Sequence, residues 1–515
     1  MTARALAGAV VVVVSLLARA AATQTPAPAP PTDSARPDAG TPNSPVPADA
    51  PVAPPPPPIA APVAQPSAEA VTNVQPSPWD KQTSIEPMWA RWRSNLYGFV
   101  ELDGMHDDTQ SYGPSSNNTM LARPGTYAGL HGRTQLTANN SLFGFMVTPP
   151  LWGDMKSFGH VEMDFFGVQP TDAIEQSVYT TPSLRMRLFY FRLKQPLGRS
   201  SLELLAGQYH DLFAWGGAGF FPHSVAFLGI AGEIYHRQPQ IRLTWSIPLC
   251  CVTIDVAAAA MRPIQRDSEV PDVQGGIKVS LDKWRGIGAQ GFGQPDVQPI
   301  AIGVSAVWRR FAVAEFLPVP GEPKIDFGYG FAANAFVPII PARSVLHRNN
   351  ALSLTAEVTA GTGISDLYTN LTGGALFPTL PNPAGLMPAP LYRPNIDNGI
   401  VTFDGDGNLR TINWRALVVG LQYYLPVADG RIWVSANYSQ LKSTNIVSLT
   451  PDASRGGVFY WQDYFDANAY AAVTPAVQVG VSYQYTHQVF GDHPFGGPHP
   501  QSRNNRGELG LRFFF

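Results

Sequence analysis

The chain has 515 residues and a formal net charge of −3, and only 14% of its residues are charged, whereas soluble proteins average about 25%. No basic excess is present, so the composition argues against a nucleic-acid-binding protein. The body of the chain has no run of about 20 apolar residues, and the sequence therefore predicts no transmembrane helix.

The N-terminus predicts a secretory signal peptide over residues 1–22. Arg4 supplies a positive start, residues 5–17 are apolar, and small residues around 18–22 offer cleavage sites of the A-x-A type. An N-terminal anchor helix is the alternative, but the apolar run is short for a membrane span. We therefore expect the protein to leave the cytoplasm.

Residues 23–80 form a Pro/Ala/Ser-rich tract that includes PVAPPPPPIAAP. This composition cannot bury a core and predicts a disordered, partly polyproline II linker. At about 3.1 Å per residue, such a linker reaches on the order of 150 Å when straight. A passive spacer is the simplest role, and a tether to the cell wall is the alternative. Residues 81–94 form a short segment before the next region.

From residue 95 to the C-terminus, segments of about ten residues alternate apolar and polar side chains and are separated by turn residues. In AVQVGVSYQYTHQ, the face with Val477 and Tyr485 is apolar, and the face with Gln478 and Gln484 is polar. The pattern predicts sixteen strands, an even number as in single-chain transmembrane barrels. Their expected starts are residues 95, 133, 157, 183, 201, 238, 251, 272, 298, 325, 350, 412, 431, 459, 476 and 504.

The connections between these strands alternate in length. Those after even-numbered strands are often short, and those after odd-numbered strands are often long, with residues 211–237 and 361–411 as the longest. Short turns at one end and long loops at the other are typical of a membrane barrel. The turns at 282–297 and 337–349 are longer than this pattern predicts.

Charged side chains deep in the strands distinguish a lipid-facing barrel from a soluble sandwich, which also alternates. An arginine on the lipid face at the membrane midplane would cost about 2–4 kcal/mol, so the charged face must be the inner one. The chain ends on GELGLRFFF, with Leu509, Leu511, Phe513 and Phe515 on one face. We predict an all-β transmembrane antiparallel barrel over residues 95–515, closed by this last strand.

Several segments, taken in order, resemble the DcaP-like trimeric porins, relatives of the general porins. They are LYGFVELDGMHD from Leu96, FGHVEMDFFG from Phe158, SLRMRLFYF from Ser183, LLAGQYHDLF from Leu204, RQPQIRLTW from Arg237 and the C-terminal NNRGELGLRFFF. The resemblance implies a sixteen-stranded homotrimeric porin in the outer membrane of a Gram-negative-type bacterium. It also implies passive diffusion of small solutes. We further expect insertion by the barrel-assembly machinery and a periplasmic position for the Pro-rich linker.

The resemblance further implies that the third outer loop, here about residues 211–237, folds into the lumen. Within it, we expect the constriction to involve Asp211, Trp215, Phe220, Phe221 and His223. The terminal residues Phe513 and Phe515 resemble the C-terminal signal by which outer-membrane barrels are recognised for assembly.

The period-2 pattern predicts which charged side chains line the pore. The basic candidates are Arg133, Arg185, Arg187, Arg242 and Lys278, and the acidic candidates are Glu101, Asp103, Glu162 and Asp164. Arg185 and Arg187 both face the lumen if Met186 and Leu188 face lipid. Rings of charged side chains set pore selectivity, so these arginines predict a preference for small anionic or dipolar solutes. Ion pairs that only stiffen the wall are the alternative for each residue.

Other motifs carry weaker hypotheses. FDGDGNL places Asp404, Asp406 and Asn408 like the start of a calcium loop, but no glutamate follows at the expected position, which favours a plain turn. Ser224 in HSVAF invites a serine-hydrolase interpretation, without a G-x-S-x-G motif. An outer-membrane barrel enzyme or an adhesin is therefore the alternative function, and the sequence predicts no enzyme activity, metal or cofactor. The adjacent Cys250 and Cys251 suit neither a disulfide framework nor a zinc site.

Overall fold

The computed structural model describes residues 92–114, 120–151, 153–167, 183–215, 220–222, 224–225, 229–288, 296–315, 321–369, 371, 380, 395–491 and 500–515. The predicted signal peptide, the linker and most of the segment 81–94 lie outside the described residues, as does His223.

The described chain is built almost entirely of strands. They are β1 (Arg93–Asp107), β2 (Arg133–Thr137), β3 (Leu142–Thr148), β4 (Lys156–Asp164), β5 (Arg185–Leu197), β6 (Ser200–His210), β7 (Arg237–Leu249), β8 (Val252–Met261), β9 (Asp272–Ile287), β10 (Val297–Ala314), β11 (Pro323–Ile340), β12 (Leu352–Thr362), β13 (Val401–Phe403), β14 (Leu409–Thr411), β15 (Asn413–Tyr424), β16 (Ile432–Lys442), β17 (Phe459–Ala472), β18 (Val477–Phe490) and β19 (Gln501–Phe514).

Short helices lie in the connections. Two are α-helical turns, Tyr127–Leu130 and Ile446–Leu449, and the 3-10 turns are Phe213–Trp215, Arg266–Ser268, Ser365–Leu367, Ala428–Gly430 and Asp452–Gly457. Within the described residues, no helix is both long and apolar enough to cross a membrane.

The strands form one closed antiparallel barrel. Each barrel strand pairs with its neighbours along the chain, and β1 pairs with β19 to close the sheet. The sheet has seventeen labelled strands. Because β2 pairs with residues 103–107 of β1 and β3 pairs with residues 93–99, these two segments occupy one position in the wall, and the barrel has sixteen strand positions. Each predicted strand start lies within three residues of an observed one. The predicted barrel and its strand number are confirmed.

The two ends of the barrel differ in their connections. At the end that carries the chain terminus, several turns are tight, such as 198–199 and 250–251. At the other end lie loop L1 (108–132), loop L3 (211–236), loop L6 (363–412, which contains the hairpin of β13 and β14) and loop L7 (443–458). We call this the loop end.

Side-chain burial is inverted relative to a soluble protein. In β19, Arg506 and Glu508 are 0% and 5% exposed, whereas Leu509, Leu511 and Phe513 are 47–51% exposed. The same alternation runs along the other strands, with polar residues inside and large apolar residues outside. The exposed apolar side chains are stable where hydrocarbon surrounds the barrel, because contact with water would be unfavourable for them. The arginines must lie on the inner face, because an arginine that faces lipid is costly.

The turns at 282–297 and 337–349 are longer than the pattern predicts because the strands run further than expected. β9 continues to Ile287 and β11 to Ile340, each past a shift in register opposite Pro299 or next to Pro338. Proline lacks the N–H that the ladder needs, so a bulge forms beside it. Trp284 Nε1 donates to Pro338 O at 2.7 Å and joins the two extensions.

Candidate functional site in the barrel lumen

Loop L3 contacts the inner wall where it leaves β6. Ala214 and Trp215 adopt positive φ angles of 67° and 49°, which reverse the chain direction. Phe213 N–H donates to Gln274 Oε1 and Ala214 N–H donates to Ser305 Oγ, both at 2.7 Å. Since both acceptors lie on the buried polar faces of β9 and β10, the first turn of L3 is held against the inside of the barrel.

The later part of L3 contacts the inner face of other strands, β16 and β19. Asn437 Nδ2 of β16 donates to Pro222 O at 2.6 Å, and Arg512 Nη2 of β19 donates to Val225 O at 2.5 Å. Gly510 of β19 also packs so closely that an added Cβ would lie 2.3 Å from Val225. Described residues of L3 therefore contact the inner faces of β9 and β10 and also those of β16 and β19.

Glu233 of L3 is buried against β12. Its Oε1 has no hydrogen-bond partner in the described part of the chain, and the next residue, Ile234, donates its N–H to Glu357 Oε1 at 2.9 Å. Burial, together with the nearby Glu357 carboxylate, raises the pKa of Glu233 well above its usual range. The protonated, uncharged form of Glu233 is therefore favoured in the folded protein.

A hydrophobic cluster fills the lumen on the side of β10–β18. Its members come from L3, L6, L7 and the wall, and include Phe213, Ile234, Val307, Ile364, Leu367, Tyr368, Leu371, Trp414, Leu441, Ile446, Val458, Phe459 and Phe490. A backbone bridge between Ile234 and Tyr368 joins L3 to L6. These apolar side chains pack the three loops against the inner wall on this side of the barrel.

The predicted constriction residues divide between wall contacts and loop packing. Phe221 is buried against Val418 and Tyr464, and the Phe220 ring meets the Phe221 ring edge-on at 5.0 Å. Trp215 Nε1 donates to the backbone oxygen of Val304 at 3.1 Å. These aromatic rings attach L3 to the wall.

Asp211 lies at the start of L3 and is buried. Its Oδ2 accepts a hydrogen bond from Gln274 Nε2 at 3.1 Å, and His236 Nδ1 lies 3.4 Å away at the other end of the loop. Asp211 therefore joins the two ends of L3 to β9.

The predicted lining residues Arg185 and Arg187 are paired with acids. Arg185 holds Asp164 through two hydrogen bonds of 2.9 and 2.6 Å. Arg187 donates to Glu162 Oε1 and Asp164 Oδ2, both at 2.8 Å, and to Tyr235 OH at 3.0 Å. The structure thus brings four predicted lining residues together, and their charges largely cancel.

The other predicted acids are also engaged. Glu101 forms an ion pair with Arg512 across the closing strands, and Asp103 Oδ2 accepts a hydrogen bond from Asn140 Nδ2 at 2.5 Å. Both carboxylates are buried on the inner face of β1. The Glu101–Arg512 pair joins β1 to β19, and the Asp103–Asn140 bond joins β1 to the connection between β2 and β3.

The remaining predicted basic residues occupy different environments. Lys278 Nζ lies 3.3 Å from Asp255 and 4.9 Å from the centre of the Trp215 ring, so it joins the wall to L3. Arg133 stands exposed at the loop end of β2 and donates to Tyr112 O at 3.0 Å.

Arg242 lacks a carboxylate partner in the described part of the chain. Its Nε donates to Gln240 Oε1 at 3.0 Å, its Nη2 donates to His210 O at 2.5 Å, and its guanidinium lies 5.5 Å from the centre of the Tyr209 ring. Its charge is therefore not neutralised by an ion pair with any described residue.

A bulge in β5 overturns the expectation that Leu188 faces lipid. The register with β4 shifts so that Glu162 pairs with Leu188 and Met163 pairs with Met186, leaving Arg187 as the extra residue. Met186 is exposed as expected, but Leu188 is only 6% exposed and packs inside. Beyond the bulge the inner face passes to even-numbered residues, because one extra residue inverts the alternation.

This inversion brings Arg192 into the lumen, a residue that strict alternation from Arg185 places outside. Arg192 Nη2 donates to Tyr190 OH at 2.8 Å and to Tyr209 OH at 3.4 Å. Its guanidinium also lies 5.8 Å from the centre of the Phe158 ring. A cavity of about 360 Å³ adjoins it, lined also by His160 and by other residues of β3–β6.

Arg192 and Arg242 share a row that crosses the wall. Phe158, Arg192, Leu205 and Arg242 are successive register partners on β4, β5, β6 and β7. Arg237 of β7 lies nearer the loop end, 5.5 Å from the centre of the Tyr235 ring, with an Nη1 that has no partner among the described residues. We call Arg192, Arg237 and Arg242 the arginine strip. None of the three forms an ion pair with a described residue.

The C-terminal phenylalanines complete the closing strand. Phe515 N–H donates to Gly98 O at 3.0 Å, and Gly98 N–H donates to Phe515 O at 3.1 Å. Phe513 and Phe515 are 51% and 52% exposed on the outer wall. Phe514 points inward, with its ring 5.7 Å from the Phe99 ring.

The weaker motifs form ordinary structure. Asp404 Oδ1 accepts the N–H groups of Asp406 and Asn408 at 3.0 and 2.9 Å, and Asp404 Oδ2 pairs with Arg410 at 2.7 Å, as in a plain surface turn. Ser224 is buried inside the barrel, where a lipid-acting hydrolase could not use it. No group of three or more His, Cys, Asp or Glu residues suited to a metal occurs among the described residues.

Solved structures of outer-membrane channels and porins align with this chain. The chain aligns with the outer membrane channel DcaP of Acinetobacter baumannii at a TM-score of 0.56 and 16% identity, over 83% of this chain and 98% of that one. The chain has the fold of that channel. An anion-selective porin from Comamonas acidovorans aligns at a TM-score of 0.42 and 10% identity, over 82% of this chain and 100% of that one. OmpF of Salmonella typhi aligns at 0.42 and 12%, over 82% and 97%.

No protein-family model matches the chain, and no curated protein matches it. The similarity to the DcaP channel therefore establishes the fold, and the function must be argued from the lumen itself.

Proposed function

We propose that this protein is an outer-membrane porin that lets small hydrophilic solutes diffuse passively across the membrane. The observation that carries the proposal is the inverted wall, polar within and apolar without, around a closed barrel. Such a wall needs hydrocarbon outside and water or polar groups inside. The fold shared with the DcaP channel agrees with this function.

The proposed path for solutes follows β4–β7. The hydrophobic cluster occupies the side of β10–β18, and L3 acts as the constriction between the two sides. The cavity beside Arg192 lies on the remaining wall. A solute that passes there meets the tyrosines of β5 and β6 and the arginine strip.

Small anionic solutes should be favoured over cations of the same size. Arg185 and Arg187 contribute little, since Asp164 and Glu162 neutralise them. Arg192 and Arg242 keep their charge, and a guanidinium can hold a carboxylate through two parallel hydrogen bonds. Binding must stay weak, because a solute that enters has to leave.

The assembly follows from the location. The bilayer of a Gram-negative-type outer membrane surrounds the wall, the barrel-assembly machinery recognises Phe513 and Phe515, and the mature chain forms a homotrimer. The Pro-rich linker, residues 23–80, then lies disordered in the periplasm. The trimer is supported by the resemblance to DcaP-like porins. Recognition by the assembly machinery is supported by the similarity of the terminal aromatic residues to the C-terminal signal of outer-membrane barrels.

Single-channel conductance of the refolded chain in a planar bilayer tests the function. Stepwise ionic conductance is expected, with a reversal potential in a salt gradient that favours chloride. A barrel that folds but conducts no ions would instead favour the alternative of an outer-membrane enzyme or adhesin. A heat-modifiable band on an unboiled gel and recovery in the outer-membrane fraction test the location, and recovery in the soluble periplasmic fraction would contradict it.

A further inference from the structure

A continuous row of outward side chains crosses five strands near the loop end. Phe331, Ala360, Arg415, Lys442 and Trp461 are successive register partners on β11, β12, β15, β16 and β17. Lys442 is the last residue of β16, so the row lies close to the edge of the wall. It combines two cations with an apolar surface on one side and a tryptophan on the other.

Two like charges stand directly opposite each other in this row. Arg415 and Lys442 are cross-strand partners, and both side chains lie on the outer face, between residues that point inward. Neither forms an ion pair with a described residue; Lys442 Nζ instead lies 4.6 Å from the centre of the Trp461 ring. Directly opposed like charges on one face of a sheet are destabilising, unless an anion lies between them.

The nearby carboxylates are already engaged. Asp404 pairs with Arg410 at 2.7 Å. Asp463 accepts hydrogen bonds from Trp461 Nε1 at 2.9 Å and from Tyr438 OH at 3.2 Å. Asp463 also lies 3.4 Å from His487 Nδ1, and no described carboxylate forms an ion pair with Arg415 or Lys442.

A groove of mixed lining adjoins the cation pair and has a volume of about 670 Å³. Its apolar lining includes Phe327, Tyr329, Phe331, Ala360 and Leu449, and its polar lining includes Asp326, Asp404 and Arg410. Small residues on β12 form its floor, and the aromatic side chains of β11 form one wall. Further from the loop end, the same outer surface exposes Leu417, Leu421 and Phe465. Apolar side chains thus lie next to the two cations in the groove and also further from the loop end.

We propose that this surface binds one phosphorylated lipid of the outer leaflet. The phosphate lies between Arg415 and Lys442, and an acyl chain occupies the groove over Ala360. The charge is complementary, because a phosphate oxygen accepts hydrogen bonds from both cations. Tryptophan at the level of the headgroups is typical of membrane proteins. The site depends on the proposed function only in that the barrel must lie in a membrane.

The test measures binding of diphosphorylated lipid A to the refolded full-length chain in detergent micelles by native mass spectrometry. Arg415→Gln with Lys442→Gln should weaken the lipid adduct by at least about tenfold, since each cation supplies a charge-assisted hydrogen bond. The matched control is Lys283→Gln with Arg285→Gln. It removes two exposed cations of β9 at the end of the barrel opposite the loop end and should leave the adduct unchanged.

A second variant tests the groove without changing the charge. Ala360→Phe fills the floor, and it should weaken binding of the lipid but leave any binding of inorganic phosphate as it was. If the cation variant binds lipid A like the wild type, or if inorganic phosphate at the same concentration displaces the lipid fully, the proposal is wrong. A changed oligomer mass in the cation variant, with unaltered lipid binding per subunit, would assign the surface to contact between copies of this chain and would also overturn it.

Conductance of the same samples separates this inference from the proposed function. Normal conductance in a wild-type protein that binds no lipid A would refute the lipid site alone. A protein that binds lipid A through Arg415 and Lys442 but conducts no ions would retain the lipid site and refute the porin.

Discussion

The two sides of the lumen use opposite chemistry on the same kind of wall. Along β10–β18 the inner face is covered by loops, and apolar side chains from L3, L6 and L7 pack among buried polar residues. Along β4–β7 the inner face keeps aromatic rings and guanidinium groups, with a cavity beside Arg192. The loops therefore cover the inner face on one side of the barrel, whereas the arginine strip lies on the other side.

Within the second side, the position of the acids decides which arginines retain their charge. Arg187 lies beside Glu162 and Asp164 and is neutralised by them. Arg192 lies beside Tyr190 and Tyr209, which orient it without neutralising it. A hydroxyl group can fix a guanidinium in place and keep the site cationic, whereas a carboxylate fixes it and removes the net charge.

Deleting residues 513–515 should have the largest effect, because both sides of the lumen depend on the closed wall. The deletion removes the hydrogen bonds between Phe515 and Gly98 and the outward Phe513. Insertion into the outer membrane should be abolished, as measured by loss of the heat-modifiable band. Phe514→Ala, which keeps the strand length and both outward rings, is the control and should still assemble. Normal assembly of the truncated chain would refute the role of the closing strand.

Phe221→Ala tests whether packing closes the side of β10–β18. The ring is buried against Val418 and Tyr464, and its loss should cost about 3–5 kcal/mol of local packing. L3 should then detach more easily from the wall, giving a higher conductance and a lower unfolding temperature. Phe220→Ala, which removes a less buried ring, should show the same changes to a smaller degree. Wild-type conductance and stability in Phe221→Ala would mean that L3 is held by its backbone contacts alone.

A charge comparison tests the side of β4–β7. Arg192→Gln with Arg242→Gln removes two charges that form no ion pair with a described residue, and the chloride preference should fall by roughly threefold per charge. That factor corresponds to about 0.6 kcal/mol for an ion passing ~7 Å away in a water-like medium. Arg187→Gln with Glu162→Gln removes one charge of each sign and should leave the reversal potential unchanged.

Equal shifts of the reversal potential in the two double variants would show that the ion pairs, too, act on passing solutes. No shift in either would remove the arginine strip from the selectivity mechanism. The measurement is the reversal potential of each variant in a salt gradient across a planar bilayer.

Glu233→Gln should have the smallest effect. Because burial raises the pKa of Glu233, keeping this carboxyl in the fold becomes unfavourable as the pH rises above its unfolded pKa. The amide should therefore raise the unfolding temperature at pH 7, by roughly 2 °C, and give no gain near pH 3.5. The heat at which the folded band disappears on an unboiled gel measures this. An equal gain at both pH values would exclude a titration of Glu233 as the cause.

The sequence predicts the barrel well because its signals are local. A period of two and the turn residues are enough to place each of the sixteen predicted strand starts within three residues of an observed one. The inner position of Glu101 or Arg187 follows from the same alternation. Alternation does not predict the extensions of β9 and β11, because they depend on contacts such as that between Trp284 and Pro338, which no local pattern encodes.

The arginine strip was predicted only in part. Arg242 was found by alternation, but Arg192 was missed because the bulge at Arg187 inverts the faces of β5. The segment LFYFRLK offered a signal, since Tyr190, Arg192 and Lys194 form a polar face that is out of phase with Arg185 and Arg187. The pairing of Arg185 with Asp164 could not be read from the sequence, because β4 and β5 are joined by a long connection that leaves their register open.

The bulge at Arg187 also determines how the protein would tolerate changes in length. Deleting one residue there would restore simple alternation and force one part of β5 to exchange its faces. In one case, Arg192 and Tyr190 would point into the bilayer, and the arginine alone would destabilise the barrel by about 2–4 kcal/mol. In the other, Arg185 would face lipid and lose its ion pair with Asp164. A single-codon deletion at this position should therefore be more harmful than any substitution at it. A short turn such as 198–199, which has no such alternation to preserve, should tolerate a one-residue insertion far better.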